Sequence, residues 1–279
     1  IKSSPVLISI AGDSAVGKTT LSRLLHEFFG YKFVNKIELD SFHKYERDDP
    51  AWSKNTHLNP DMNNLSEFKN TVIKLMNNEE QLIRNYNHLT GKFDSTNKKR
   101  IKDFLIIEGL HSLYFNDLNK KFDLNVFLDL EEEIKKETKV FRDTERGKKK
   151  ESILKEIDKR KKDFNKYILP QKNFSDIYIK TLYRGIDKVK FKIHFKNDYF
   201  FEFKNFFSEL NEINISNAQQ DPGLTIFELD VDNHSSSKFF KLLTKDIANL
   251  KNNKFNESKI EKPENFELFC KLALVLFML

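Results

Sequence analysis

The hydrophobic positions in the first two thirds of the chain alternate between short apolar runs and longer segments with helical spacing. Residues 6–11 are apolar apart from Ser9, as expected of a strand that is buried on both faces. After this strand, leucine and phenylalanine recur every three or four residues up to Gly30, which fits a helix C-cap. Short strands that alternate with helices are typical of a parallel α/β sheet.

The same alternation predicts the other elements of this part. Strands are expected at residues 33–39, 104–107 and 125–130, and helices at residues 65–75, 131–146 and 153–164. Asn64 is the expected N-cap of the helix at 65–75. Residues 41–64 are polar and rich in Asp, Asn and His, so we expect them to form a long functional loop.

Beyond about residue 183 the pattern changes to the alternation that is typical of strands. Strands are predicted at residues 189–195, 200–203 and 224–231, and helices at residues 236–250 and 264–279. We expect residues 183–279 to extend one sheet with extra antiparallel strands and to add C-terminal helices. The whole chain, 1–279, would then be a single domain whose core is residues 1–182.

Composition and charge exclude several classes of protein. The 279 residues carry 48 basic and 42 acidic side chains, a net charge of +6. The single Cys270 excludes an internal disulfide and a cysteine-rich zinc site, and it fits a reducing, cytoplasmic compartment. No apolar run is long enough to span a bilayer, residues 1–5 lack a signal-peptide pattern, and no arginine-rich arm or zinc-finger spacing indicates nucleic acid. We therefore expect neither a membrane nor a nucleic acid as partner. The first residue is not Met, which fits an excised domain or a fragment.

The segment between the first strand and the first helix has the complete pattern G-x-x-x-x-G-K-S/T. Its two glycines permit a backbone whose successive N–H groups surround phosphate oxygens at a helix N-terminus. The ammonium group of Lys18 would reach the β- and γ-phosphates, and the hydroxyl of Thr19 would ligate Mg²⁺. We therefore expect a nucleoside triphosphate to bind to Gly12, Asp13, Ser14, Ala15, Val16, Gly17, Lys18, Thr19 and Thr20.

Two carboxylates follow predicted strands, Asp40 after the second strand and Glu108 after the strand at 104–107. The carboxyl ends of parallel strands meet at one edge of a sheet, where the phosphate loop also lies. Either carboxylate could hold the magnesium shell or take a hydroxyl proton. No Asn-Lys-x-Asp motif occurs, which argues against a GTPase.

Three cations, Lys139, Arg142 and Arg146, are spaced so that they share one face of the predicted helix at 131–146. A charged helix face is ordinarily a solvated surface. The functional alternative is a lid, near residues 131–165, whose cations close over the phosphoryl group in transfer. Gly147 would end the helix or act as its hinge.

These motifs together resemble the phosphoribulokinase/uridine kinase family, and within it the phosphoribulokinases more closely. The resemblance follows the chain in order over nearly its whole length. It rests on residues 12–20, 39–43, 58–60, 63–64, 86–88, 108–111, 139–147, 167–176 and 225–230. Each motif is short, but the ordered set is specific.

The resemblance implies a P-loop kinase fold and the use of ATP with Mg²⁺. The γ-phosphoryl group would pass to a hydroxyl of a sugar phosphate, with ribulose 5-phosphate as the first candidate. By position, Asp40 matches the catalytic base and Glu108 the acid that closes the second ATP-site strand. The residues that match the handling of the sugar phosphate or the lid are His43, Arg47, His88, Lys139, Arg142 and Arg146.

The chain also departs from the family pattern. Three residues separate Arg142 from Arg146 where the family usually has four, which moves Arg146 onto the helix face of Arg142. Val16 stands where light-regulated members have cysteine, so thiol switching is expected to be absent. The segment 48–57, which includes Trp52, has no assigned role and lies where the acceptor would be recognised.

Other functions stay open at this point. Uridine, cytidine or another phosphosugar could be the acceptor, although the cations His43, Arg47 and His88 argue for a phosphorylated one. A different class of protein, a non-catalytic nucleotide-binding regulatory module, would bind ATP without acceptor-dependent release of ADP. Exposed apolar edges in the phenylalanine-rich C-terminal part would suit a homodimer.

Overall fold

The computed structural model describes residues 5–184, 188–196, 215–221 and 224–232. These residues divide into two compact units. One contains residues 5–128 and 135–175, and the other contains residues 129–134 together with the described residues from 176 onwards. The expectation of a single domain over 1–279 stays a prediction.

The elements that belong to the first unit wholly or in part are β1 (Val6–Gly12), α1 (Lys18–Phe29), β2 (Val34–Glu38), α2 (Leu65–Met76), β3 (Gln81–Asn87), β4 (Lys92–Lys99), β5 (Phe104–Gly109), α3 (Asn116–Asn119), β6 (Leu124–Leu130), α4 (Glu132–Glu145) and α5 (Lys150–Asp163). Strand β6 contributes its last two residues, and helix α4 its first three, to the second unit. Four of the strands are parallel, in the order β2-β5-β1-β6.

The apolar runs form these strands because both faces of the sheet are covered. Every residue of β1, β5 and β6 is buried. Helix α2 packs its apolar stripe onto β2 and β5, and the ring of Phe68 meets that of Phe42 edge-on at 5.5 Å. The predicted helix at 65–75 is thereby confirmed. Asn64 occupies its N-cap position, but the Asn64 side chain makes no capping hydrogen bond.

The second unit contains antiparallel strands in the order β7-β8-β10-β9. They are β7 (Ile177–Arg184), β8 (Lys188–Lys196), β9 (Ile215–Asp221) and β10 (Leu224–Asp232). The predicted strands at 189–195 and 224–231 are confirmed as β8 and β10. The strand predicted at 200–203 and the helices predicted at 236–250 and 264–279 lie outside the described residues.

The hairpin of β3 and β4 has no counterpart among the predicted elements. Most of its side chains are exposed or partly exposed, so it lacks the apolar periodicity on which a strand prediction depends. The loop at 41–64 is long, as expected, but it is ordered by three short 3-10 turns, Leu39–Phe42, Pro50–Ser53 and Pro60–Met62. None of the helices in the described ranges is long and apolar enough to cross a membrane.

Candidate active site

The phosphate loop joins β1 to α1 with a backbone that requires glycine at its start. Gly12 has φ of 143°, and a Cβ atom there would lie 2.2 Å from the carbonyl oxygen of Leu128 in the neighbouring strand β6. Gly17, with φ of 100°, leads into the first residue of α1, Lys18. The loop therefore ends on the N-terminus of a 12-residue helix, where free N–H groups and the helix dipole favour anions.

A buried ion pair fixes this loop. Arg160 of α5 donates from Nη2 to Oδ1 of Asp13 at 2.7 Å, the N–H of Ser14 donates to the same oxygen at 2.6 Å, and the Lys18 Nζ donates to the Asp13 carbonyl oxygen at 2.6 Å. Burial alone would raise the pKa of Asp13, but the positive charges of Arg160 and Lys135 and the Ser14 N–H lower it. Asp13 is therefore ionised and shapes the loop from within.

Asp40 lies directly after β2, between two histidines. Its Oδ1 is 3.4 Å from Nε2 of His43, and its Oδ2 is 3.4 Å from Nε2 of His88. Burial alone would raise the pKa of Asp40, but His43 and His88, when their rings are protonated, and the positive charge of Lys18 lower it. The carboxylate is therefore ionised near neutral pH and is close to the lysine of the phosphate loop.

Asn63 orients the ring of His43. The Nδ2 of Asn63 donates to the carbonyl oxygens of His57 and Asn59 at 3.2 and 3.0 Å, so its Oδ1 faces Nδ1 of His43 at 2.7 Å. Because an amide oxygen can only accept, Nδ1 of His43 donates, and a protonated ring would also donate from Nε2 to Asp40.

Glu108 lies at the end of β5 and is 3% exposed. Its Oε1 accepts from the hydroxyl of Ser22 at 2.7 Å and from Nζ of Lys36 at 3.2 Å. Its Oε2 is buried and has no hydrogen-bond partner in the described part of the chain. A buried carboxylate oxygen with spare acceptor capacity fits a magnesium shell or its waters.

The charge of Lys18 depends on these carboxylates. Burial lowers the pKa of Lys18, whereas the negative charges of Glu108, Asp40 and Asp13 oppose this shift. No group of three or more His, Cys, Asp or Glu side chains in the described residues could hold a metal ion by itself. Thr19, Asp40 and Glu108 remain the candidate magnesium ligands.

Arg47 connects the loop at 41–64 with the turn of the β3–β4 hairpin. Its guanidinium donates to the carbonyl oxygens of His88 and of Leu89, the latter at 3.1 Å. Gly91 lies against Arg47 so closely that a Cβ atom on Gly91 would be 2.4 Å from the Arg47 Cβ. Arg47 stays partly exposed, so it can both position the hairpin turn and present charge to a ligand.

The three cations of the proposed lid have different environments. Lys139 is 5% exposed, and its Nζ donates to Asp143 at 3.1 Å and to Glu156 at 3.0 Å. Arg142 donates to Asp143 and, at 2.9 Å, to the Ser14 hydroxyl in the phosphate loop. Arg146 is exposed and follows the last residue of α4.

Arg146 nevertheless lies close to the other charges of the site. Although its side chain is largely exposed, partial removal of water lowers the pKa of Arg146. The positive charges of Arg142 and Arg47 also lower this pKa, while the negative charges of Asp143 and Asp40 raise it. The three lid cations therefore do not act as one face. Lys139 is an internal link between helices, Arg142 pairs with Asp143 and contacts Ser14 of the phosphate loop, and Arg146 is exposed.

Comparisons with known proteins identify the family. A model of the Phosphoribulokinase / Uridine kinase family matches residues 7–185, which include every site residue described above. The chain belongs to this family.

Relatives within the family include phosphoribulokinases and uridine-cytidine kinases. The phosphoribulokinase of Synechocystis is 39% identical over 178 residues, 63% of this chain and 54% of the relative. The chloroplastic phosphoribulokinase of Spinacia oleracea is 32% identical over 195 residues, covering 63% of this chain and 48% of the relative. Uridine-cytidine kinase B of Dictyostelium discoideum is 30% identical over 192 residues, covering 66% of this chain and 77% of the relative. The chain spans about half the length of these two phosphoribulokinases.

The fold is also shared with a solved structure. The phosphoribulokinase from Rhodobacter spheroides superposes with a TM-score of 0.63 at 19% identity and covers 80% of this chain and 90% of the solved chain. A mainly parallel sheet flanked by helices, with antiparallel strands in the C-terminal part, is therefore confirmed as the P-loop kinase fold.

The structure of this family member brings most of the sequence-predicted site residues together, and it adds others. Lys18, Asp40, His43, His88 and Glu108 surround one edge of the parallel sheet, and Arg142 reaches that edge from α4. Sequence reasoning missed Ser22, Glu38, Asn63 as a ring-orienting partner, and Arg160. Glu38 could have been noticed because it precedes Asp40 at the end of β2, but no spacing in the sequence marks Arg160.

We expect the free energy of unfolding to fall at acid pH because of Glu156. Its carboxylate accepts hydrogen bonds from Lys139 at 3.0 Å and from Lys148 at 2.9 Å. Burial alone would raise the pKa of Glu156, but its contacts with Lys139 and Lys148 lower this pKa from 4.5 to about 2. Because this folded-state pKa lies below the unfolded value, the stabilisation is present above pH 4.5 and is lost as the pH falls toward 2. Glu156→Gln should therefore lower the free energy of unfolding at pH 7 by about 2 kcal/mol, after discounting for partial exposure.

Urea unfolding followed by circular dichroism at pH 7, 4 and 3 measures both effects. The stability of E156Q should also decline less steeply between pH 4 and 3 than that of the unaltered protein. Glu145→Gln removes the same charge from an exposed position on α4 and should leave both quantities unchanged. Equal stability profiles for E156Q and the unaltered protein would contradict the assignment.

Proposed function

We propose that the chain is an ATP-dependent kinase that transfers the γ-phosphoryl group of ATP to a hydroxyl of a sugar phosphate, with ribulose 5-phosphate as the acceptor. The observation that carries this proposal is the carboxylate of Asp40, which is held ionised between two histidines and near Lys18 of the phosphate loop. A general base must be ionised and close to the transferred group. The names of the phosphoribulokinase relatives support the choice of acceptor.

Asp40 would accept the proton of the attacking hydroxyl. The hydroxyl oxygen then forms a bond to the γ-phosphorus while the bond from that phosphorus to the β,γ-bridging oxygen breaks, and ADP leaves. Lys18 and Arg142 lie where they can neutralise the charge on the phosphate oxygens. Bound Mg²⁺, held by Thr19 with Glu108 or Asp40, would supply further neutralisation of the β- and γ-phosphates.

A phosphorylated acceptor explains the basic side chains that lie around Asp40. His43, His88 and Arg47 lie along the loop at 41–64 and the hairpin turn, and the charge of Arg146 is close to that of Arg47. A nucleoside carries no phosphate and would gain little from these charges, whereas a phosphate monoester gains charge-assisted hydrogen bonds from arginine. Uridine and cytidine are therefore the second choice of acceptor. The small polar substrates and the single cysteine fit a cytoplasmic reaction without a nucleic acid or membrane partner.

Replacing Asp40 separates catalysis from nucleotide binding. In Asp40→Asn the volume is kept but the base is lost, so kcat with ribulose 5-phosphate should fall by about 10²–10⁴. The Kd for Mg²⁺ and adenylyl imidodiphosphate should change little, because the phosphate loop and Glu108, the alternative magnesium ligand, are intact. The measurement is a coupled ADP-release assay together with calorimetric titration of the nucleotide analogue.

The control is Asp61→Asn, an exposed aspartate in the same loop, which should keep full activity. Retained activity in D40N would exclude Asp40 as the base. An unaltered protein that binds nucleotide but releases no ADP with ribulose 5-phosphate, other pentose phosphates, uridine or cytidine would instead be a nucleotide-binding module.

Replacing Arg47 tests the class of acceptor. In Arg47→Ala the KM for ribulose 5-phosphate should rise about tenfold or more, because a hydrogen bond between charged groups is lost, while the KM for ATP should stay nearly constant. Arg100→Ala removes an exposed arginine outside the site and serves as the matched control. If the unaltered protein phosphorylates uridine and R47A does so equally well, the acceptor is a nucleoside and the sugar-phosphate proposal is wrong.

A further inference from the structure

A second polar cavity lies beside the active-site edge, between β2, the end of α1 and the β3–β4 hairpin. Its volume is about 280 Å³, just below the range of typical small-molecule pockets and therefore suited to a small ligand. Four permanently basic side chains line it, and Glu38 is its one acidic lining residue. The basic residues are Lys36, Arg84, Lys99 and Lys102.

The positive charge of this cavity is only partly neutralised. Lys36 pairs with Glu38 at 2.6 Å and with Glu108 at 3.2 Å. Lys102 donates to the carbonyl oxygens of Tyr31 and Val34 at 2.9 and 3.2 Å. Hydrogen bonds to carbonyl oxygens orient an ammonium group but do not cancel its charge. The charge of Lys102 is therefore available to a ligand, whereas that of Lys36 is shared with the active site.

Arg84 is likewise oriented by neutral groups. Its Nη2 donates to the carbonyl oxygen of His43 at 3.1 Å, and its guanidinium carbon lies 3.9 Å from the ring centre of Phe93. Neither partner carries a negative charge, so Arg84 also contributes an unneutralised cation to the cavity wall.

Lys99 is the cation with the least compensation. Its side chain is half-buried and forms no hydrogen bond or ion pair within the described ranges. Burial and the positive charges of Lys102 and Lys36 lower the pKa of Lys99, whereas Glu38 opposes the shift. Crowding of like charges in a half-buried cavity is unfavourable, and a bound anion would relieve it.

A buried amide in the same cavity also lacks a partner. Asn35 on β2 is 8% exposed, lines the cavity and has a buried Oδ1 without a hydrogen-bond partner in the described part of the chain. Asn85 and Asn97 of the hairpin add further amides to the wall. Buried amide groups are normally satisfied, so the cavity offers hydrogen bonds to a ligand as well as positive charge.

We propose that this cavity is a second anion site, which binds a small molecule that carries a phosphate group and hydrogen-bonding hydroxyls. The site is separate from the phosphate loop, and its ligand would be held by Lys99, Lys102 and Arg84 with Asn35 beside them. The proposal does not depend on the identity of the kinase acceptor. It would hold equally for a protein that binds nucleotide without catalysis.

The test is calorimetric titration of inorganic phosphate into the full chain saturated with Mg²⁺ and adenylyl imidodiphosphate, which keeps phosphate out of the loop. Phosphate should bind in this cavity in addition to any phosphate at the proposed acceptor site, so one phosphate per chain should still bind in Arg47→Ala. Lys99→Ala should weaken binding in the cavity about tenfold, since a charged hydrogen bond is lost. Lys99→Glu should abolish it. Lys98→Ala removes a lysine from the adjacent, exposed position on the same strand, where it pairs with Glu80 at 3.4 Å, and should bind phosphate as the unaltered protein does.

Arg47→Ala distinguishes this site from the proposed acceptor site. Phosphate binding that survives in R47A and is weakened in K99A supports the proposal. Binding that is lost in R47A and unchanged in K99A, or no binding by the unaltered protein up to about 10 mM, an affinity weaker than about −3 kcal/mol, would overturn it. In an R47A background, ribose 5-phosphate binding more tightly than phosphate would identify a phosphorylated metabolite as the ligand, and equal affinities would identify phosphate itself; both results uphold the site.

Discussion

The site depends on one constraint, the common direction of the neighbouring strands β2, β5 and β1. Because they are parallel, their carboxyl ends meet at one edge, where Glu108 lies at the end of β5 and where Asp40 and the phosphate loop follow β2 and β1. The ammonium group of Lys18 is thereby placed near three carboxylates, whose charges oppose the effect of burial on its pKa. A nucleotide's phosphates and a divalent cation would enter a region in which positive and negative groups are already held in place, so little reorganisation would accompany binding.

Two sets of ion pairs, joined by a 3.8 Å contact between Arg160 and Glu156, hold this edge from the helical side. Arg160 of α5 binds Asp13 in the phosphate loop, and Lys139 of α4 lies between Asp143 and Glu156. Removing one partner of a buried ion pair is strongly destabilising, although an intact pair adds little net stability over a well-packed apolar contact. These charges therefore serve to fix the positions of α4 and α5 around the loop. Arg142, which contacts both Asp143 and Ser14, connects these ion pairs to the phosphate site.

The elements that the sequence predicted are those whose stability comes from regular burial. Strands β1, β5 and β6 are buried throughout, and α2 has one continuous apolar stripe, so their patterns are visible in the residue order. The hairpin of β3 and β4 is polar and was missed, because its strands pair with each other and bury few side chains. The phosphate loop was predictable from its complete pattern of two glycines, Lys18 and Thr19 between a strand and a helix. The structure explains the first glycine, since Gly12 has no room for a Cβ atom.

Charged side chains were harder to place than apolar ones. Lys139 has the spacing of a solvated or ligand-facing cation, but the structure buries it, since Glu156, 17 residues away, completes its partners. Arg160 pairs with Asp13 across 147 residues of sequence, a contact that no local pattern indicates. Positions of this kind depend on how helices pack, which periodicity does not specify.

The central claim is that the loop at residues 12–20 binds the triphosphate of ATP through Lys18. Calorimetric titration of Mg²⁺ and adenylyl imidodiphosphate into the unaltered protein and into Lys18→Ala tests it directly. The account predicts one nucleotide per chain for the unaltered protein and binding weaker by about tenfold or more for K18A, the effect of losing a charged hydrogen bond. Equal affinity of both proteins for the analogue, or no binding by the unaltered protein, would contradict the account.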